Sequence, residues 1–132
     1  MDFNKLHNHI KKSILSYLAT RIALQAQHFS GAFLSYQRAK YFEHLSLNSF
    51  SAISNLKLEE NQDSYQRNAV WYFLNAALQG YSTAQFKLGM LYLNGQLGLD
   101  SNEIQALRWL NLAADQGHLE AQHEISKIIR PS

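Results

Sequence analysis

Apolar residues recur every three or four positions at the start of the chain, at Phe3, Leu6, Ile10, Ile14, Leu18 and Ile22. That spacing is one face of an α-helix; it predicts a first helix reaching about His28, with Gly31 marking its end. Residues 32–45 predict a second helix and residues 49–58 a third, while the acidic, amide-rich residues 59–62 read as a loop. Asp63 then stands as the N-cap of a further helix, with Gln66 in the reciprocal position of a capping box, and Asp100 with Glu103 repeats that arrangement. Both helices run through an Ala-Ala pair to Gln79-Gly80 and Gln116-Gly117, where a glycine in the left-handed conformation terminates a helix. New helices follow over residues 82–94 and 119–129, the former closed by Asn94-Gly95 and the latter followed by Pro131.

The second half of this pattern is written twice. Residues 63–89 and 100–126 align at an offset of 37 without a gap, and nine of the 27 pairs are identical: Asp63/Asp100, Ser64/Ser101, Ala69/Ala106, Ala76/Ala113, Ala77/Ala114, Gln79/Gln116, Gly80/Gly117, Ala84/Ala121 and Gln85/Gln122. A period of this length belongs to stacked helical hairpins. Most of the shared residues are small or helix-terminating, so the repeat specifies how helices approach and stop. It carries no chemistry of its own.

Composition narrows the picture further. A chain of 132 residues with 46% hydrophobic content suffices for one folded domain, residues 1–132, in which residues 1–58 are divergent helices and residues 63–129 the repeat region. With no cysteine there is no disulfide, thiolate nucleophile or sulfur-based zinc site. Net charge is only +2, but residues 1–57 hold seven Lys or Arg against two acids and residues 58–132 five against eight. That polarity could steer an acidic partner to the first half, or be an ordinary solvated helix surface. Lys11 and Lys12 precede a short apolar run, yet Arg21 interrupts it before a signal or membrane span accumulates, so the expectation is a cytoplasmic protein with no membrane association.

Residues 84–95, reading Ala-Gln-Phe-Lys-Leu-Gly-Met-Leu-Tyr-Leu-Asn-Gly, followed by Gly98, Asp100, Ala106, Trp109, Ala113-Ala114, Gln116-Gly117 and Ala121-Gln122, resemble a complete Sel1-like repeat. The likeness covers about residues 69–125. It departs at Ser126, where an array would place the next glycine, and in residues 1–58, which show no convincing copy. The resemblance implies an all-α fold: a short right-handed α/α solenoid of antiparallel helix pairs, of the Sel1 and tetratricopeptide type, with a divergent N-terminal helical cap. It also implies that equivalent helices line one inner wall.

On that wall the helix over residues 84–94 would set Phe86, Met90 and Leu93, and the offset of 37 maps these onto His123, Lys127 and Arg130. An apolar strip beside a basic one suits a peptide with apolar anchors and an acidic residue or terminal carboxylate. The competing reading packs Phe86, Met90 and Leu93 against the preceding helices and leaves the three basic residues as a solvated end. No metal site is expected: His7 and His9 are two apart, His118 and His123 five apart, and neither pair has the i, i+4 spacing of a helical zinc site. His118, at a helix start near Glu120, needs only a local hydrogen bond to explain it. No nucleophile elbow, phosphate loop or dinucleotide fingerprint is present, so no catalytic residue and no cofactor is assigned.

Three functional readings remain. By resemblance, the chain is a bacterial-type Sel1-like adaptor presenting a groove to a protein or peptide partner. Alternatively it is an immunity or inhibitor protein with one tight partner. A third reading, weaker than either, is nucleic-acid binding through Lys5, Lys11, Lys12, Arg21, Arg38 and Lys40. A homodimer through the apolar end formed by Ile125, Ile128 and Ile129 is a further expectation.

Overall fold

The computed structural model describes residues 2–48 and 56–130, and for residues 23–30 and 56–60 the backbone alone. Among the described residues there are five α-helices and no strand: α1 (Phe3–Asn48), α2 (Leu56–Leu78), α3 (Ser82–Asn94), α4 (Glu103–Asp115) and α5 (Leu119–Ile129). The fold is thus an all-helical repeat of the kind expected, and it divides into two compact units, Met1–Gly31 and Ala32–Ser132.

Three boundaries differ from the expectation. Gly31 lies within the helical range of α1 instead of ending it, as no proline or turn sequence follows and one glycine inside a helix costs only about 1 kcal/mol. The loop expected at residues 59–62 is helical, because Leu, Lys, Glu and Gln are good helix formers and α2 is already under way at Leu56. Asp63 is therefore inside α2 and caps nothing. The helix expected at residues 49–58 lies outside the described residues over 49–55, as does Pro131.

At α4 the cap is Asn102, two residues after Asp100. Its backbone is extended (φ −147°, ψ 100°), and its side chain accepts a hydrogen bond from the Gln105 amide at 3.1 Å. The loop before it is tied to the end of α3: the Asn102 amide donates to the Tyr92 carbonyl at 2.8 Å and the Ser101 hydroxyl to the Leu93 carbonyl at 3.0 Å. Those two bonds hold Asp100 upstream of the first helical turn. Identical residues at 63–64 and 100–101 thus occupy a helix interior and a loop.

The helix stops fall where the repeat places them. Gly80 and Gly117 both have φ +88°, with open space where a Cβ would stand, so the left-handed backbone itself is what selects glycine there. Around each glycine the backbone closes in the same way. The Gly80 amide donates to the Ala77 carbonyl and the Tyr81 amide to the Ala76 carbonyl, at 3.0 and 3.2 Å; the Gly117 amide donates to Ala114 and the His118 amide to Ala113, at 2.9 and 3.1 Å. This is a Schellman termination made twice.

In the second unit the core falls into two clusters. The first joins Ala39 of α1, Ala69, Phe73, Ala76 and Ala77 of α2, and Ala84, Leu88 and Leu91 of α3, with Tyr92 and Trp109 packed at its margin. The second joins Leu110 and Ala113 of α4 with Ala121 of α5. Consecutive helices α2, α3, α4 and α5 each pack on the next. Alanines at the crossings let backbones approach, and Gly89 leaves no room for a side chain: a Cβ there would lie 2.8 Å from Leu110 Cγ and 3.2 Å from the Ala106 carbonyl oxygen.

Candidate functional site

Helix α3 is apolar on both sides, and the structure places those sides against different neighbours. Ala84, Leu88 and Leu91 enter the first cluster, whereas Phe86 and Met90 pack against the second, built by α4 and α5. Phe86 is further covered by the His118 ring, stacked at 4.7 Å between centroids and 23° between planes. His118 is also the N-cap of α5, its Nδ1 accepting from the Ala121 amide at 3.3 Å, the local role expected of it. Leu93 is half-buried.

On α5, Ala121, Ile125 and Ile128 face the second cluster. His123, Lys127 and Arg130 are exposed and stand on the other side of that helix. Lys127 Nζ is 2.8 Å from Glu124 Oε1, so its charge is already balanced within α5. Phe86 and Met90 are therefore divided from His123, Lys127 and Arg130 by the body of α5, and pack against the helices that follow α3. With Ile125 and Ile128 half-buried in the same cluster, Ile129 is the residue of the apolar end that stays exposed.

A different surface combines an opening with mixed chemistry. Between α2 and the loop joining α3 to α4 lies a hollow of about 530 Å³ lined by Asp63, Gln66, Arg67, Val70, Trp71, Leu74, Leu97, Gly98 and Leu99. A helix periodicity of 3.6 sets Ala69, Phe73 and Ala76 of α2 into the core and leaves Val70, Trp71 and Leu74 together on another face. Trp71 is 57% exposed, a large aromatic left at the rim. Asp63 and Arg67, one turn apart on the same helix, are both exposed and give that rim one charge of each sign.

The far wall is made by a loop whose shape is unusual. Gly95 (φ 63°) ends α3, and Leu97 takes φ 53°, a left-handed conformation that a residue with a branched side chain seldom adopts. Leu97 also lines a second hollow of about 340 Å³ with Glu43, Ser46, Leu47, Gln62, Gln66, Lys87 and Gln96. Leu97 and Gln66 line both hollows. In the lining of the second hollow the Lys87 Nζ to Glu43 Oε1 ion pair, at 2.6 Å, ties α3 to the part of α1 in the same unit.

The sequence points to α3 and α5, where the motif is densest, and does not single out this hollow. The signal was present in α2, whose Val70, Trp71, Leu74 and Leu78 form a second apolar face beside the core stripe. Leu97 could not be found that way, since a loop residue's φ is set by the hydrogen bonds around it. Among the described residues no cluster of His, Asp or Glu could hold a metal ion, and no helix is long and apolar enough to cross a membrane.

The Sel1 repeat family model matches the chain at residues 61–81 and 82–118, which span α2 from its middle through α4. The chain carries Sel1 repeats over residues 61–118, which line the whole of the hollow beside Trp71 and part of the second, where Glu43, Ser46 and Leu47 of α1 also contribute; Sel1 repeats generally mediate protein–protein interaction. No curated protein and no solved structure matches the chain.

Proposed function

We propose that this Sel1-like repeat protein is an adaptor whose hollow between α2 and the α3–α4 loop receives one large apolar side chain of a protein partner, flanked by an acidic group. The observation that carries this reading is Trp71, more than half exposed beside an open hollow of mixed apolar and charged lining, with Arg67 beside it. An exposed tryptophan beside a hollow of this size is the kind of feature that concentrates binding energy in protein interfaces. Val70, Leu74, Leu97 and Leu99 supply the apolar walls, and Arg67 supplies a fork of donors for a carboxylate. Asp63, one turn earlier, repels a carboxylate and so fixes the direction in which a bound segment lies. The work is recognition; the lining carries one cation and one acid, with no nucleophile beside a base.

A peptide library displayed on phage and selected on the full chain tests this reading. The selected peptides are expected to share a large apolar residue with an acidic residue near it. Trp71→Ala should weaken them by about 2 kcal/mol, or about thirtyfold, and Arg67→Glu by at least tenfold, with the thermal transition unmoved. Selected peptides that bind both variants as tightly as the parent would place the interaction elsewhere.

A further inference from the structure

From Asp2 to Ile22 every residue is exposed, including the whole apolar stripe of Phe3, Leu6, Ile10, Ile14, Leu18 and Ile22, which ranges from 43% exposed at Leu6 to 85% at Phe3. Twenty residues of α-helix carry that stripe over about 30 Å. Within Phe3–Ile22 there is no acid, while Lys5, Lys11, Lys12 and Arg21 contribute four positive charges. Lys5 and Lys12, seven residues apart, share the face away from the stripe, and Lys11 stands at its margin beside Ile14 and Leu15. Arg21 lies on the stripe itself, its guanidinium 3.3 Å from the Tyr17 hydroxyl and 5.9 Å from the centre of that ring. A long cationic stem paired with a tyrosine is at home where hydrocarbon meets water.

We propose that this segment of α1 is an interfacial helix that lies flat on an anionic lipid surface, its stripe in the acyl boundary and its lysines among the headgroups. It has an apolar stripe, four positive charges and no acid between Phe3 and Ile22, which is the chemistry such a surface selects. A second copy of the helix is a poor cover, because it would bring four more positive charges against these four. Nucleic acid would satisfy the lysines and leave the stripe in water. The segment lies on the surface and does not cross, in keeping with the lack of any helix among the described residues long and apolar enough to span.

Co-sedimentation of the full chain with vesicles decides the matter. Vesicles of phosphatidylcholine with 30 mol% phosphatidylserine should bind the protein at least tenfold more tightly than phosphatidylcholine alone, with binding that weakens as salt rises. Ile10→Asp/Ile14→Asp and Lys11→Glu/Lys12→Glu should each lower that binding at least tenfold while the thermal transition is unchanged, since all four side chains are exposed. Failure of the parent protein to bind either vesicle, or binding by either double variant as tight as the parent's, overturns the proposal. So does sedimentation equilibrium showing a dimer that Ile10→Asp/Ile14→Asp dissolves, or a single-stranded RNA 20-mer that displaces the protein from the vesicles and binds that variant unchanged.

Discussion

Gly89 of α3 leaves no room for a side chain against α4, and the cost of filling that space is open to measurement. An added methyl would meet the buried Leu110 side chain at 2.8 and 2.9 Å and the Ala106 carbonyl at 3.2 Å, so either Leu110 leaves its rotamer or the helices part. Overpacking of this kind costs about 1 to 3 kcal/mol, offset by roughly 1 kcal/mol from alanine's better helix propensity. Gly89→Ala should therefore lower stability in urea unfolding by up to about 2 kcal/mol, where the same exchange at an open helical site would raise it. Tyr36 provides a second residue-scale test. Burial, with smaller contributions from Tyr81 and Glu43, raises its pKa above the ordinary 10.0. Because the folded protein then holds this proton more tightly than the unfolded chain, stability is unaffected below about pH 10 and falls as pH climbs from there through the raised folded value. In Tyr36→Phe that alkaline loss should be shallower when melting temperature is followed from pH 9 to 11.

Pairs of helices owe their register to side chains that the repeat duplicates for a reason visible only in three dimensions. Gln85 Nε2 donates to the Ala77 carbonyl at 3.1 Å, and Gln122 Nε2, 37 residues on, donates to the Ala114 carbonyl at 3.2 Å. Each glutamine reaches back eight residues across the turn and clamps the helix that the Schellman glycine has just ended. The two sites differ in burial. Gln85 is buried and also accepts from Gln116 Nε2 at 2.7 Å, whereas Gln122 is exposed. Removing the first loses two hydrogen bonds and empties a buried site, although the Ala77 carbonyl keeps the Gly80 amide and Gln116 is exposed, so Gln85→Ala should cost about 1 to 3 kcal/mol and Gln122→Ala under about 1, as measured by chemical denaturation. The stops at Gly80 and Gly117 and the helices that follow them were legible in the sequence, because a left-handed glycine after an Ala-Ala pair is a local signal. The starts were not. Aspartate is a good cap wherever a helix happens to begin, but α2 begins at Leu56 and α4 waits for Asn102, which the bonds from Ser101 and Asn102 to the end of α3 decide. Phe86 and Met90 were legible as apolar positions, yet the direction they face depends on α5, a partner that periodicity does not reveal.

Every buried apolar residue among those described falls between Ala32 and Ala121, all within the second unit. Residues 32–132 should accordingly fold alone, with a melting temperature within a few degrees of the full chain by circular dichroism; loss of cooperative melting in that fragment would show that the first unit completes the core. The two units also divide the proposed work, the Ala32–Ser132 unit recognising a protein segment and the Met1–Gly31 unit an anionic surface, and each can fail without the other. The central claim is that recognition belongs to the hollow of α2. Its most direct test is a ¹H–¹⁵N correlation spectrum of the full chain titrated with a peptide selected on it. The expected result is shifts at the Trp71 indole, at Arg67 and along residues 97–99; shifts confined to His123, Lys127 and Arg130 on α5, with Trp71 unmoved, would contradict it.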